Sequence, residues 1–253
     1  MHQKGLLTYA LNLIGNLVYI DEVDTGQLCN CYCPSCKEKL VAKNGGMKRV
    51  HHFAHASGVD CENAYETMLH QLAKLRVQEA FLSKEVFNVG FEYRSYCPHV
   101  KTCAFVRYGN CYISTHKRFN LKEFYDSCEQ EIQYDSINRR SDLKIFSSKK
   151  PQLAPIYIQF FVTHASDVSK LHNGGKIIEV KIESENDIQR IVDDGFIESS
   201  KCDSRLLEGI ESENISETTF WGFKSEDYDA KNITQEIEFS RYILYASGKS
   251  QCY

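Results

Sequence analysis

The clearest chemistry in this sequence is a set of metal ligands near the N-terminus. They belong to two short motifs, Cys33-Pro-Ser-Cys36 and His52-Phe-Ala-His55. Zinc prefers a tetrahedron of thiolates and imidazoles, so the predicted Zn²⁺ ligands are Cys33, Cys36, His52 and His55. His51 and Cys61 are alternative ligands. Because four protein ligands leave no position open for water, the predicted zinc is structural.

A second group of side chains has the chemistry needed to hydrolyse a phosphodiester. Glu66, His70 and Lys74 recur at every fourth position, which places them on one face of a predicted helix. Asp142 lies near the start of a predicted strand, and Gln159 interrupts an apolar run. A divalent metal in such a site needs oxygen ligands and a nearby positive charge. The alternatives are a solvated helix face and a Gln159 that is hydrogen-bonded or faces outward.

Cysteine usage favours metal binding over disulfides. The chain has eleven cysteines, and its N-terminus lacks the apolar core and cleavage site of a signal peptide. No run of about twenty apolar residues predicts a membrane span, so we expect a cytoplasmic, reducing location and no membrane partner. A second group of ligand-type residues with irregular spacing is either another structural metal site or a set of buried thiols. Its members are Cys97, His99, Cys103 and Cys111.

Short strands are predicted to position the zinc ligands. Residues 7–20 alternate apolar and small side chains before a turn predicted at 21–26. An Asn-Gly-Gly turn then separates strands predicted at 39–43 and 47–53. Together these elements predict a zinc-ribbon-like β module over residues 1–61.

The following sequence predicts a mixed core of helices and strands over residues 62–195, so the predicted fold class is α/β (α+β). Helices are predicted at 62–83, 120–131, 167–172 and 184–195, and strands at 132–135, 141–146, 155–163 and 176–182. A Cys-rich insertion lies near 97–111. Residues 196–253 form a C-terminal extension to which the sequence assigns no role.

Composition restricts the class of protein. The 253-residue chain is 42% hydrophobic and 25% charged, which is typical of a globular protein. Its formal net charge of −4 argues against non-specific coating of nucleic acid. The middle of the chain is locally basic, which fits either phosphate contacts or a solvated surface. The basic residues there are Lys101, Arg107, Lys117, Arg118, Arg139 and Arg140.

The order of these motifs resembles that of the CoiA-like competence-protein nucleases, a branch of the PD-(D/E)XK superfamily. The motifs are Cys33-Pro-Ser-Cys36, His52-Phe-Ala-His55, Glu66-Thr-x-x-His70 with Lys74, Arg140-Ser-Asp142 and the strand ending Val162-Thr163-His164. Lys170 and the predicted strand 177–182 also fit the pattern. The resemblance therefore covers residues 7–195.

The resemblance implies a restriction-endonuclease-like core with an N-terminal zinc-binding element. It places the first-helix Glu at Glu66 and the motif Asp at Asp142, which would hold a catalytic Mg²⁺ or Mn²⁺. Gln159 stands where the family usually has Glu, and Phe161 stands where it usually has Lys. Candidates for a displaced lysine are Lys74, Lys144 and Lys170.

The leading functional prediction is a metal-dependent DNA nuclease. Asp142 would hold the metal with help from Glu66 and Gln159, and Lys74 and His70 would lie beside it. One alternative is a non-catalytic nucleic-acid-binding module that has lost its activity. Another is a zinc-stabilised protein-interaction domain in a defence or DNA-uptake system. DNA is the expected partner, and protein partners or a homo-oligomer are left open.

Overall fold

A computed structural model describes residues 5–59, 61–96, 102, 112–133, 140–162, 175–198, 217–223, 242–244 and 250–252. The chain divides into two compact units. The first comprises Met1–Phe91 and Arg118–Gly222, and the second comprises Glu92–Lys117 and Phe223–Tyr253. The described residues form several sheets and two α-helices, which confirms the mixed α/β class.

Two small hairpins build the N-terminal part of the first unit. In the first hairpin, β1 (Tyr9–Leu11) pairs antiparallel with β2 (Leu17–Tyr19). In the second, β3 (Leu40–Lys43) pairs antiparallel with β4 (His52–His55). One-turn 3-10 helices lie between the hairpins at Ile20–Glu22 and Gln27–Cys29. The interior is apolar and contains Ala10, Ile20, Leu40, Ala42 and Phe53.

Both predicted boundaries in this region need correction. The turn of the first hairpin lies between β1 and β2, because Asn12 Oδ1 accepts the N–H groups of Ile14 (3.1 Å) and Asn16 (2.9 Å). Gly15 supplies the left-handed backbone there, with φ of 85°. The strand predicted at 47–53 begins only at His52, since residues 45–50 are exposed and make no ladder.

The elements after the hairpins include one long helix and one shorter helix. In chain order they are α1 (Ala64–Ser83), β5 (Asn88–Tyr96), β6 (Tyr112–Asn120), β7 (Ser127–Gln133), β8 (Arg140–Phe146), β9 (Ile156–Phe161), β10 (Lys176–Lys181), α2 (Glu185–Asp194), β11 (Phe196–Ile197), β12 (Thr218–Trp221), β13 (Tyr242–Leu244) and β14 (Ser250–Cys252). None of the helices in the described ranges is long and apolar enough to cross a membrane.

Helix α1 confirms the helix predicted at 62–83. Its inward face is apolar at helical spacing and buries Met68, Leu69, Leu72, Ala73, Val77, Ala80 and Phe81. The N-terminal hairpins rest on this helix, because Met68 Sδ accepts the backbone N–H of Tyr9 (3.4 Å) and the hydroxyl of Thr8 (3.6 Å). The hairpins and the helix are therefore parts of one packed unit.

A five-stranded sheet with the order β12-β10-β9-β8-β7 lies at the centre of the first unit. Strands β9 and β10 are parallel, and the other neighbours are antiparallel. The strands predicted at 141–146, 155–163 and 176–182 are thus confirmed as β8, β9 and β10. In β9, Ile156, Ile158 and Phe160 are buried while the alternate residues are half-buried. The central strand is consequently covered more completely on one face than on the other.

The helix predicted at 120–131 is wrong. Asn120 does cap a helical turn, since its Oδ1 accepts the N–H of Lys122 at 3.1 Å, but that turn ends at Glu123. The same Asn120 oxygen also accepts the N–H of Phe87 at 2.9 Å, which ties the turn to another segment. The chain then extends as β7 because pairing with β8 satisfies its backbone groups. The residues predicted as a strand at 132–135 are the end of β7 as far as Gln133.

Helix α2 confirms the helix predicted at 184–195. Ser184 caps it, because Asp187 Oδ2 accepts both the backbone N–H (2.9 Å) and the hydroxyl (3.0 Å) of Ser184. Gly195 ends the helix with φ of 85°, and a Cβ there would lie 2.0 Å from the carbonyl oxygen of Asn88. Only glycine permits this turn into β11, which pairs in parallel with β5.

The second unit is described over few residues. Its two C-terminal strands, β13 and β14, form an antiparallel pair. The helix predicted at 167–172 and the group Cys97, His99, Cys103 and Cys111 lie outside the described residues, as does Lys170.

Candidate functional site

Four ligand-type side chains converge at the N-terminal hairpins. The sulfur atoms of Cys33, Cys36 and Cys61 and a ring nitrogen of His55 all lie within 4.8 Å of one another. Cys36 Sγ is 3.3 Å from His55 Nε2. In a tetrahedral site with Zn–S bonds of about 2.3 Å, neighbouring ligand atoms are about 3.8 Å apart. The cluster therefore has the composition and the spacing to hold a metal ion such as zinc.

A tight turn presents the two thiols of the Cys33-Pro-Ser-Cys36 motif. The backbone N–H of Cys33 donates to the carbonyl oxygen of Glu38 (2.8 Å), and the N–H of Lys37 donates back to the carbonyl oxygen of Cys33 (3.1 Å). Lys37 closes the turn in the left-handed region, with φ of 63°. Both thiols therefore come from a single tight turn, as the Cys-x-x-Cys motif paired with the two-histidine motif predicts.

The second hairpin decides which histidine joins the cluster. His55 lies opposite Leu40 in the β3–β4 ladder, directly after the cysteine turn, whereas His52 lies opposite Lys43 at the far end. Three residues of strand separate the two histidines by about 10 Å. The structure thus places His52 outside the cluster, and its Nδ1 lies 3.0 Å from the carbonyl oxygen of Val50.

Cys61, one of the two alternative ligands, occupies the place predicted for His52. It lies just before α1, and its carbonyl oxygen accepts the N–H of Ala64 at 3.1 Å. The cluster therefore joins three separate elements, the cysteine turn, the end of β4 and the start of α1. The other alternative, His51, contacts Asp21 and the carbonyl oxygen of Gly46 (2.7 Å) instead.

The surroundings of Cys33 and Cys61 shift the pKa values of the two thiols in opposite directions. Burial raises the pKa of Cys33 to about 11, so its proton is held until a cation compensates for the thiolate charge. Burial also opposes the ionisation of Cys61, but hydrogen bonds with Ser35 and Cys36 outweigh it and lower the pKa of Cys61. A bound cation would stabilise all three thiolates, so metal binding and proton release are coupled here.

A different polar cluster lies where α1 meets the sheet. Asp142 of β8 is 7% exposed, and its Oδ2 accepts the backbone N–H of Phe160 on β9 at 2.8 Å. His70 of α1 lies with Nε2 3.5 Å from the same carboxylate oxygen and 2.9 Å from the carbonyl oxygen of Phe160. Since a carbonyl oxygen only accepts, Nε2 carries a proton. Asp142 and His70 therefore bind both backbone polar groups of one residue.

Lys74 and Glu131 extend this cluster. Lys74 of α1 is 8% exposed, and its Nζ donates to Glu131 Oε1 at 2.7 Å. Glu131 lies between two residue pairs of the β7–β8 ladder, Gln130 with Leu143 and Ile132 with Ser141, and so faces the position of Asp142. Its φ of 52° interrupts the regular ladder at this point. Two carboxylates and two basic side chains, those of Lys74 and His70, thus share one small region.

The pKa values of these two carboxyl groups are shifted in opposite directions. Burial raises the pKa of Asp142, although the charges of His70 and Lys74 and the N–H of Phe160 act in the other direction. The hydrogen bond and the charge of Lys74 lower the pKa of Glu131. Asp142 is therefore the carboxyl group whose ionised form is less favourable, and Glu131 is held as a carboxylate.

Gln159 and Glu66 lie on the elements that carry this cluster. The last β8–β9 pair is Leu143 with Ile158, so Gln159 lies one position further along, beside Asp142. On its other side Gln159 pairs with Glu179 of β10, which is buried. Glu66 precedes His70 by one turn of α1 and is half-buried. Gln159 is also half-buried, and as the cross-strand neighbour of Asp142 it lies on the same face of the sheet.

Sequence reasoning missed Glu131, because residues 120–131 were predicted to be helical. Cys128 and Ile132 are four residues apart, which fits a helix as well as a strand, so only the pairing of β7 with β8 places Glu131 opposite Asp142. Over the part of the chain that the structure describes, the cysteine and histidine cluster is the only group of three or more such ligands close enough to share a metal ion.

The fold and the site define a mixed α/β protein with an N-terminal cluster of three cysteines and one histidine that could hold a metal ion. Residues 20–64 match the family model "Competence protein CoiA, N-terminal domain". The resemblance to the CoiA family is therefore confirmed over this region, which contains all four clustered ligands. No curated protein and no solved structure matches the chain.

Proposed function

We propose that this chain is a metal-dependent DNA nuclease of the CoiA-like type, with Asp142 as the central carboxylate of a restriction-endonuclease-like core. The observation that carries the proposal is the meeting of motif residues from distant parts of the sequence. His70 of α1 lies 3.5 Å from Asp142 of β8, and Gln159 of β9 is next to Asp142 in the sheet. The CoiA-type N-terminal domain supports a role connected with DNA uptake.

The donor set suits a small divalent cation better than zinc. Asp142 and Gln159 offer a carboxylate oxygen and an amide oxygen, and Mg²⁺ and Mn²⁺ prefer oxygen ligands. Glu66, one turn before His70, would supply a third oxygen. When bound, such an ion lowers the pKa of a coordinated water and makes it a nucleophile near neutral pH.

The protein's own cations complete the proposed mechanism. Lys74 lies on the same face of α1 as His70, and its contact with Glu131 fixes its position. A buried ammonium group in this place would stabilise the negative charge that develops on the phosphate. His70 would hold Asp142 in place, because its Nε2 proton lies between that carboxylate and the carbonyl oxygen of Phe160.

A non-catalytic DNA-binding protein is the second candidate function. It is favoured by the replacement of the usual Glu and Lys by Gln159 and Phe161. Asp142 already accepts the N–H of Phe160, and in the described ranges the carboxylates near it do not form a group of metal ligands. In this case the cluster keeps the fold of a nuclease and stabilises it without catalysing cleavage.

One assay separates these candidates. Single- and double-stranded DNA are incubated with the protein in Mg²⁺ and in Mn²⁺, and Asp142→Asn is compared with Glu129→Gln, which removes an exposed carboxylate from β7. We expect cleavage to fall at least about a hundredfold in Asp142→Asn and to persist in Glu129→Gln. Equal cleavage by both variants would exclude Asp142 from the reaction. DNA binding without cleavage by the unmodified protein would establish the second candidate, and neither binding nor cleavage would favour a protein-interaction domain.

A further inference from the structure

We propose that the tip of the second hairpin, residues 43–52, is a binding element for double-stranded DNA. The proposal extends the function proposed above and rests on it for the choice of DNA as the ligand. It concerns a surface separate from the Asp142 cluster, at the end of the β3–β4 hairpin that is remote from the cysteine turn.

The charge of this segment contrasts with that of the whole chain. From residue 39 to residue 59 the sequence contains no Asp or Glu, while the chain as a whole has a formal net charge of −4. The basic residues of that stretch are Lys39, Lys43, Lys48 and Arg49, with His51, His52 and His55 beside them. A local concentration of cations in an acidic protein is a surface suited to phosphates.

The end of the tip is exposed to solvent. Residues 45–50 are all exposed, and the apolar side chains of Met47 and Val50 are 104% and 68% exposed. Lys48 and Arg49 lie between them. Single exposed apolar residues are common, but here two of them flank adjacent cations at the end of a two-stranded ribbon. This combination matches an element that contacts both phosphates and bases.

The tip is also held in a defined position. Asn44 Nδ2 donates to the carbonyl oxygens of Ile20 (2.8 Å) and Val23 (2.9 Å). The ring of His51 bridges Asp21 and the carbonyl oxygen of Gly46. At the other end of the ribbon, His55 belongs to the metal cluster. The metal cluster therefore supports the hairpin, and the hairpin presents the basic tip.

Duplex DNA is the nucleic acid that this shape fits best. The major groove of B-DNA is about 12 Å wide and admits a two-stranded β-ribbon. Lys43 and Lys48 with Arg49 would contact phosphates at the groove edge, and Met47 would contact base edges. The acidic residues Asp21, Glu22 and Asp24 belong to the segment that contacts Asn44 and His51, so the DNA would lie on the opposite side of the tip.

The test compares two double variants that remove the same charge. Lys48→Ala/Arg49→Ala changes the tip, and Lys149→Ala/Lys150→Ala changes an exposed loop after β8. Binding of a short labelled DNA duplex is measured over a salt series without Mg²⁺ or Mn²⁺, and zinc content is measured for each variant to verify that the N-terminal region is intact. Single-stranded DNA and duplex RNA serve as competing ligands.

We expect Lys48→Ala/Arg49→Ala to weaken duplex binding by on the order of tenfold or more and to reduce the slope of log affinity against log salt by roughly two. The loop variant should bind nearly as the unmodified protein does. Met47→Ala should weaken binding by less than about tenfold and leave the salt slope unchanged.

Equal binding by the tip variant and the unmodified protein would overturn the proposal, as would equal weakening by both double variants or tighter binding of RNA or single strands. Cleavage in Mg²⁺ or Mn²⁺ is measured separately with Asp142→Asn. If that variant loses cleavage while the tip variant binds normally, the hairpin proposal fails and the nuclease proposal stands. If the tip variant loses binding and no protein cleaves, the hairpin proposal stands and the nuclease proposal fails.

Discussion

The two polar clusters of the first unit differ in what their side chains bind. At the N-terminal cluster, three thiols and one imidazole face one another within 4.8 Å, and a metal ion would replace the protons of the thiols. At the sheet cluster, Asp142 and His70 bind backbone groups of Phe160, and Lys74 binds Glu131. A bound ion would neutralise the thiolates that form at the first cluster, whereas the charges of the second cluster are largely balanced by their own partners.

This difference determines how firmly each cluster indicates a function. Three thiols and one imidazole that lie within 4.8 Å of one another have the chemistry and the spacing to hold a metal ion such as zinc. A carboxylate that already accepts a backbone N–H and faces a histidine serves the fold whether or not it catalyses a reaction. The same residues of the sheet cluster thus fit an active nuclease and a DNA-binding relative, and variants must separate the two roles.

The largest expected effect comes from breaking the N-terminal cluster. We expect Cys33→Ser or His55→Ala to abolish zinc binding and to lower the free energy of unfolding by on the order of several kcal/mol, because a structural metal contributes directly to folding. Zinc content by mass spectrometry and thermal unfolding measure the two effects. His52→Ala is the matched control, since it removes a histidine from the same strand and should retain zinc. Loss of zinc in His52→Ala together with its retention in Cys61→Ser would contradict the assignment of the ligands.

The sequence predicted the ligands that depend on local geometry and missed the choice that depends on strand register. Cys33 and Cys36 come from a single turn, so their spacing is a local signal that gains weight from the two-histidine motif. The choice between His52 and His55 depends on where β4 begins and which residue of β3 each one faces. Both histidines are suitable zinc ligands, but the β3–β4 ladder places them at opposite ends of β4.

For the sheet cluster too, the sequence predicted local elements but not the pairing of segments that are far apart in the chain. Periodicity predicts the helix α1 and the strands β8, β9 and β10. It therefore predicts the elements that carry His70, Asp142 and Gln159. Glu131 was assigned to a helix, because the residues after Asn120 have a helical start signal and polar spacing. Pairing of β7 with β8 overrides that local preference, and a pairing between separate segments is not visible in local sequence.

The second effect in size concerns the structural part of the role of Asp142. We expect Asp142→Ala to lower the free energy of unfolding by about 1–3 kcal/mol, because the buried N–H of Phe160 loses its acceptor. Asp142→Asn keeps a carbonyl oxygen in that position and should cost less than half as much. Chemical denaturation of both variants measures the difference. Equal destabilisation by the two substitutions would show that the negative charge, and not the hydrogen bond to Phe160, stabilises the fold.

The smallest effect is a difference in pH dependence between the two carboxylates of the sheet cluster. The pKa of Glu131 is lowered in the folded state by Lys74, so its ionised form adds stability above its ordinary pKa of 4.5, and this stability is lost as the pH falls through the lower folded value. The pKa of Asp142 is raised by burial. Its contribution is therefore fully present below its ordinary pKa of 3.8 and is lost as the pH rises through the higher folded value.

Replacing each carboxylate by its amide should reveal these opposite signs. Relative to the unmodified protein, Glu131→Gln should become less stable as the pH rises from 3 to 6, by no more than about 1 kcal/mol because the Glu131 side chain is 58% exposed. Asp142→Asn should become relatively more stable over the same range, since it lacks the cost of ionising a buried group. Urea unfolding at several pH values measures both. If the two variants had pH profiles of the same sign, Lys74 would be neutralising Asp142 as well as Glu131, and the sheet cluster would be one shared network of charges instead of two separately balanced pairs.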